Sequence, residues 1–298
     1  MEPLVSIICT AYNHEPYIRE CLDGFMMQET NFKFEILISD DNSTDKTADI
    51  IREYKTKYPD IFVPFYHKEN LYSQGINFSD EFYSNAKGKY IATCEGDDYW
   101  IDPLKLQKQV DFLEANEKYV LTCHRVLIHD EENNISQKED FDCFFKENVG
   151  LSFDRKFVFT YCWITHTSSL VFRKDKFYYE NFPSNCDVTN VFYLLKEGLG
   201  YCFNEFWSIY RFHEGGVYSK QPSIQKHLGR YINSILIYES NINDKIAIDC
   251  YYGTYASLVL HSRGKFLFKD NFSFKRLISL FWYIPRKLLI RLRIKLWQ

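Results

Sequence analysis

Apolar and polar positions along the first 115 residues fall into blocks whose period switches between that of a strand and that of a helix. Residues 4–11, LVSIICTA, form a short β-rich apolar run, as a strand buried on both faces would. Pro16 then stands near a helix start, and Ile18, Cys21, Leu22, Phe25 and Met26 follow at three- and four-residue spacing, a single buried stripe. FEILIS (34–39) repeats the strand pattern, and DDNSTDKT (40–47) is a turn crowded with capping residues. A second helix is predicted through Ala48, Ile51 and Tyr54, ending before Pro59. IFVPFY (61–66) is a poorer strand, because Pro64 suits only a sheet edge. KYIATC (89–94) is a fourth strand with the polar end EGDDYW, and Asp102-Pro103 reads as the cap and first position of a helix carrying Leu106, Val110 and Leu113. Such alternation predicts a largely parallel sheet with helices on both faces.

Residues 119–218 are mixed. Strands are predicted at 119–128 and 168–173, an acidic loop around Asp130–Asp142, and a helix through Val188–Lys196. From Pro222 onward the apolar spacing is helical, through Ile224, Leu228, Tyr231, Ile232 and Ile235. No internal repeat interrupts this order.

Composition narrows the picture. With 298 residues, 46% apolar and 26% charged, the chain can bury a full core, and disordered or fibrous readings are excluded. The net charge of −4 hides an asymmetry. Residues 271–298 carry seven basic residues (Lys275, Arg276, Arg286, Lys287, Arg291, Arg293, Lys295) and no acidic one, so the first 270 carry −4 − 7 = −11. An acidic body argues against nucleic acid as a partner. The basic tail, rich in Leu, Ile, Phe and Trp and split by Pro285 into two predicted helices, suits an anionic membrane surface. Nine scattered cysteines without a CxxC pair read as buried thiols of a reducing compartment. With no basic leader and no uncharged apolar stretch of about 20 residues, the expected location is cytoplasmic, peripheral on the inner face of the plasma membrane.

Ligands of open parallel sheets gather beyond the carboxyl ends of the strands. Three polar clusters fall there: CTAYNH, SDDNSTD and EGDDYW. Neither GxGxxG nor GxxxxGK[ST] occurs, so a phosphate cradle built from glycine amides is missing. A divalent metal on adjacent carboxylates would replace it, and Asp97 and Asp98, with Glu95 nearby, form such a group.

VSIICTAYNHEPYI, FEILISDDNSTDKT and AKGKYIATCEGDDYW together resemble successive blocks of the family 2 glycosyltransferases. The likeness continues through DPLKLQKQVDFLE, THTSSLVFRK and YRFHEGGVYS, roughly residues 4–219. It implies a GT-A fold: a Rossmann-like, mostly parallel sheet flanked by helices, here with a C-terminal helical extension. The corresponding division is a glycosyltransferase domain at 1–219, with a nucleotide-sugar half (1–115) and an acceptor half (116–219), followed by a helical region with its basic tail at 220–298.

The resemblance also implies roles. Thr10, Tyr12 and Asn13 line the nucleotide pocket, with Tyr12 against the base; Asp41 accepts a hydrogen bond from the base, and Asp40 caps the helix. Asp97 faces the ribose and Asp98 the metal, Mn²⁺ or Mg²⁺, with His213 completing the metal or diphosphate site. Asp187, ahead of an amphipathic helix, corresponds to the catalytic base, and His166 to a position near the acceptor mouth. Gly215-Gly216 would let a loop fold over the donor. Two departures stand out. Gly96 occupies the place where relatives carry the first acidic residue, and Ile76-Asn77 stands where many carry Arg-Asn. The implied activity is inverting transfer of a sugar from a nucleoside-diphosphate sugar, with UDP as the carrier, to a hydroxyl of a glycan or lipid-linked acceptor in surface-polysaccharide or lipopolysaccharide assembly. The alternatives are a nucleotidyltransferase, and a catalytically silent carbohydrate-binding or scaffold protein of the same fold.

Overall fold

A computed structural model describes residues 2–76, 79–130, 135–138, 144–146, 149–160, 163–178, 187–216 and 221–262. The basic tail, Asn77 and Pro285 lie outside the described residues. Two compact units are present: 1–141, 145–153 and 164–212 form the first, and 142–144, 154–163 and 213–298 the second.

The first unit opens as the apolar pattern requires. β1 (Val5–Ala11) pairs in parallel with β2 (Phe34–Asp40) and with β4 (Tyr90–Thr93), and β2 pairs in parallel with β3 (Phe62–Tyr66). β3 ends the strand order β3-β2-β1-β4, so Pro64 sits on an edge strand as expected. α1 (Ile18–Met26) and α2 (Thr47–Lys57) follow β1 and β2. Their buried stripes, Ile18–Cys21–Leu22–Phe25 and Ile50–Ile51–Tyr54, join Val5, Ile7, Cys9, Ile36 and Ile38 in one core. Fully burying each such aliphatic side chain contributes about 1.5–3 kcal/mol. α2 is capped by Asp45, whose Oδ1 accepts the Thr47 N–H at 2.9 Å. Asp40, expected at that cap, instead accepts the Ser43 N–H at 3.2 Å and closes the turn before it.

The rest of the unit departs from a purely parallel order. β9 (Val171–Arg173) runs antiparallel to both β4 and β6 (Tyr119–Asp130). β10 (Leu199–Phe212) runs parallel to β6 and antiparallel to β5 (Tyr99–Trp100) and β8 (Leu151–Phe153). The sheet is thus parallel in its first half and mixed in its second. The strand predicted at 168–173 is shorter, because Thr167–Ser169 form one 3-10 turn before it. Within the expected acidic loop, β7 (Ile135–Lys138) pairs antiparallel with β6. β10 and the helix α3 (Ser79–Asn85) were not legible in the pattern. Bulges near Phe203, Phe206 and Ser208 break the alternation of β10, and a seven-residue helix offers under two turns of periodicity. α4 (Lys105–Ala115) and α6 (Asp187–Glu197) complete the unit's helices among the described residues.

The glycine of AKGKY (86–90) has a steric reason. A Cβ on Gly88 would stand 2.4 Å from the Ser6 amide nitrogen, so only glycine lets the chain pass the start of β1. The Gly88 N–H donates to Ser6 Oγ (2.8 Å), while Ser6 Oγ and the Lys87 N–H both donate to Glu35 Oε1 at 2.7 Å. Glu35 is buried, so Glu35→Ala strands two donors and is expected to cost about 1–3 kcal/mol in urea denaturation, with an unchanged m-value.

In the second unit, α7 (Ser223–Glu239) and α8 (Lys245–His261) pack around Tyr231, Tyr251 and Tyr255, and α5 (Arg155–Thr160) lies against α8, with Arg155 pairing Asp244 at 2.7 Å. Among the described residues, cysteines 9, 21, 94, 123, 202 and 250 are buried thiols. Among the described residues no helix is long and apolar enough to cross a membrane.

Candidate active site

At the carboxyl ends of β1 and β2 two loops are riveted together. Asn13 adopts φ 54°, a left-handed conformation that asparagine tolerates, and its Oδ1 accepts the Thr44 N–H at 2.8 Å. The Asn13 N–H donates to Ser43 Oγ, the His14 N–H to Thr47 Oγ1, and the Glu15 N–H to Asp45 Oδ2. The side-chain oxygen of Asn13 is thereby spent on the loop itself. Tyr12, beside it, is 42% exposed. Buried Asp41 accepts the Leu71 N–H on Oδ1 (2.8 Å) and the Tyr72 N–H on Oδ2 (3.0 Å), so it fixes the wall that follows β3.

The acidic loop after β4 is tied to the same edge. The Gly96 N–H donates to the Thr10 carbonyl at 2.9 Å, and the Asp98 N–H to the Glu95 carbonyl at 3.1 Å. A Cβ at 96 would lie 2.9 Å from both His14 Nδ1 and Ile18 Cδ1. A side chain at that place would have to displace those of His14 and Ile18. The acid sits one residue earlier instead. Glu95 is half-buried, and its carboxyl is pushed up to about 8 by burial and by the charges of Asp97 and Asp187. Asp98 is buried and held well above the usual carboxylate range by burial, Asp97 and Glu95. Glu95 therefore lies within electrostatic reach of Asp97, Asp98 and Asp187, all in the first unit. Asp187 is the first residue of α6, and its Oδ1 accepts the Val188 N–H at 2.7 Å.

Three residues that the motifs did not single out hold this loop. His14 Nε2 lies 3.7 Å from Asp97 Oδ2. The backbone N–H of Arg211 donates to Asp98 Oδ1 at 3.0 Å, and its guanidinium donates to the Asp97 carbonyl at 2.7 Å. Glu20, on α1, pairs with the same guanidinium. Further back, the Trp100 indole N–H donates to the Ser168 carbonyl at 2.7 Å, fixing the loop's far end. His166, near Thr167 and Ser168 in sequence, has its ring 5.5 Å from that of Tyr210.

His213 is buried and belongs to the second unit, where its carbonyl accepts the Gly216 N–H at 3.2 Å. Among the described residues no three carboxylates, imidazoles or thiols are grouped so as to hold a metal ion by themselves. The available donors are hard carboxylate oxygens that repel one another, a set that fits Mg²⁺ or Mn²⁺ completed by phosphate oxygens of a ligand.

A family model described as Glycosyl transferase family 2 matches residues 6–178. The chain belongs to this family. An uncharacterized protein of Mycobacterium tuberculosis (strain ATCC 25618 / H37Rv) is 35% identical over 218 residues, covering 72% of this chain and 60% of its own length. A candidate teichuronic acid biosynthesis glycosyltransferase of Bacillus subtilis, TuaG, is 32% identical over 112 residues, 38% of this chain and 42% of its own. The chain thus spans about three fifths of the mycobacterial relative. Among solved structures, Staphylococcus aureus TarS 1–349 in complex with UDP-GlcNAc superposes with a TM-score of 0.62 at 16% identity, over 95% of this chain and 79% of that one. The mannosyltransferase PcManGT of Pyrobaculum calidifontis, in complex with GDP-Man and Mn²⁺, superposes with a TM-score of 0.55 over 100% of this chain and 84% of that one. These likenesses carry the GT-A fold. The family 2 match ends at residue 178, so Asp187, Arg211 and His213 lie beyond it.

Proposed function

We propose that the chain is an inverting glycosyltransferase that moves a sugar from a nucleoside-diphosphate sugar, UDP being the favoured carrier, to a hydroxyl of a glycan or lipid-linked acceptor. The observation that carries this reading is that Glu95, beyond the end of β4, feels the charges of both the Asp97–Asp98 loop and Asp187. Thr10, Tyr12, Asn13, Asp41 and Asp97 are assigned to the nucleotide. Asp41 and Asn13 serve it chiefly by shaping the loops, since their oxygens already accept backbone N–H groups. Asp98 is the first-unit residue that would hold a divalent metal; His213, given the same role by the resemblance, lies in the second unit. A bound cation offsets the charge of the departing diphosphate. Asp187 takes the proton of the acceptor hydroxyl as that oxygen bonds to the anomeric carbon and the bond from carbon to diphosphate breaks, which inverts the centre.

TarS with UDP-GlcNAc supports the UDP assignment, and TuaG supports a place in surface-polysaccharide assembly. The seven basic residues of 271–298 support a peripheral, cytoplasmic-face location. Calorimetric titration of UDP, with Mn²⁺ and with EDTA, tests the donor site. Wild type is expected to bind in Mn²⁺, and Asp98→Ala to lose at least about tenfold, or 1.4 kcal/mol. Equal binding in Mn²⁺ and EDTA would refute the metal, and no binding at all would refute the uridine carrier.

A further inference from the structure

Arg211 is a charged side chain only 3% exposed, and several of its contacts bear on the acidic loop and on the helix behind it. Its backbone N–H holds Asp98 Oδ1. One guanidinium nitrogen, Nη1, holds the Asp97 carbonyl, and the other, Nη2, pairs with Glu20. The guanidinium carbon, Cζ, lies 4.3 Å from the Tyr99 ring centroid and 5.1 Å from that of Tyr17. One residue of β10 thus fixes a side-chain oxygen of Asp98 and the peptide joining Asp97 to Asp98. In turn it is oriented by α1 and by two aromatic faces.

A buried guanidinium needs compensation, and this one has an anion, a carbonyl and two π faces. Lysine could not replace it. A point ammonium keeps the charge but cannot reproduce the planar fork that reaches the Asp97 carbonyl and Glu20 at once. The arrangement is therefore specific to the fork and not to the charge. It also leaves the guanidinium nitrogens engaged with protein atoms, so Arg211 has no need to touch the ligand in order to matter.

We propose that Arg211, oriented by Glu20, Tyr17 and Tyr99, is the positioning residue that presets the Asp97–Asp98 pair for the metal and diphosphate. This rests on the donor-site reading above. Its geometric part is read separately, in the protein without ligand.

The test uses Arg211→Lys and Glu20→Gln in the full chain, with amide hydrogen exchange and calorimetry. Glu20 has a side chain 63% exposed, so its variant keeps the proposal testable if the arginine variant fails to fold. Exchange is expected to quicken in residues 95–100 of both variants, while β1 and β2 stay protected. Mn²⁺-dependent UDP binding is expected to weaken about 10–100-fold in Arg211→Lys, the range for partners that orient metal ligands, and less in Glu20→Gln. UDP binding in EDTA is expected to stay unchanged in both. Unaltered exchange at 95–100 overturns the proposal whatever the nucleotide does. Faster exchange, in a protein whose wild type binds UDP equally in Mn²⁺ and EDTA, reduces Arg211 to a structural tie and refutes the donor-site reading separately.

Discussion

Asp187→Asn is expected to lower the rate of sugar transfer by about 10²–10⁴-fold, the contribution of a positioned general base, while UDP binding in Mn²⁺ stays within a few-fold of wild type. The amide keeps the shape of the carboxylate and its capacity to accept the Val188 N–H, so α6 retains its start. It cannot accept the acceptor's proton. Initial rates against donor and acceptor, paired with calorimetry, separate the two readings. Loss of turnover with intact donor affinity and an unchanged unfolding midpoint identifies a base. If Asp187 only started the helix, Asp187→Asn would leave turnover and midpoint nearly unchanged, and Asp187→Ala would lose about 0.5–2 kcal/mol of stability. A side effect follows from the geometry: Asp187 helps to hold the Glu95 carboxyl up, so its neutralisation lets Glu95 ionise at lower pH.

The parts of this site that could be read from the chain share a physical origin. β1, β2 and β4 are buried on both faces, so they appear as unbroken apolar runs whose polar ends must be where the sheet meets solvent. Three such ends in order place CTAYNH, SDDNSTD and EGDDYW on one edge. What stayed hidden depends on contacts distant in sequence. Arg211 and Glu20 are 191 residues apart, and neither belongs to a periodic pattern or a capping motif. The close approach of His14 and Ile18 to Gly96 comes from across the edge, so the sequence alone does not show it. Asp41 and Asn13 were legible as site residues, but their hydrogen bonds to Leu71, Tyr72 and Thr44 require the loops to have met. β10 escaped because bulges displace its inward and outward positions, and the same irregular strand delivers Arg211 to the acidic loop.

Lys105 was equally hidden: a lysine in the first turn of an amphipathic helix reads as solvated, yet it is completely buried. Its ammonium lies 3.9 Å from the centroid of the Trp100 ring, and its Nζ has no hydrogen-bond partner. Cys94 and His124 are the titratable groups near it. Burial pushes the Lys105 ammonium down to about 7, and burial together with Lys105 keeps His124 neutral. In the unfolded chain Lys105 returns to the ordinary value near 10.5, so between about pH 7 and 10.5 unfolding takes up a proton. The burden on stability is thus full below pH 7 and vanishes as pH rises through 10.5. Its size is on the order of 3–5 kcal/mol, of which the Trp100 face offsets about 1–2 kcal/mol while the charge is present. Lys105→Met removes the charge and fills nearly the same volume. The variant is expected to be more stable than wild type by a few kcal/mol at pH 6, with the difference shrinking steadily toward pH 10. Urea denaturation of both proteins at several pH values gives that difference directly, since every other titrating group is common to both. A difference that stays flat with pH would mean that Lys105 keeps its proton in the folded protein, with the Trp100 face and its surroundings compensating the buried charge in full.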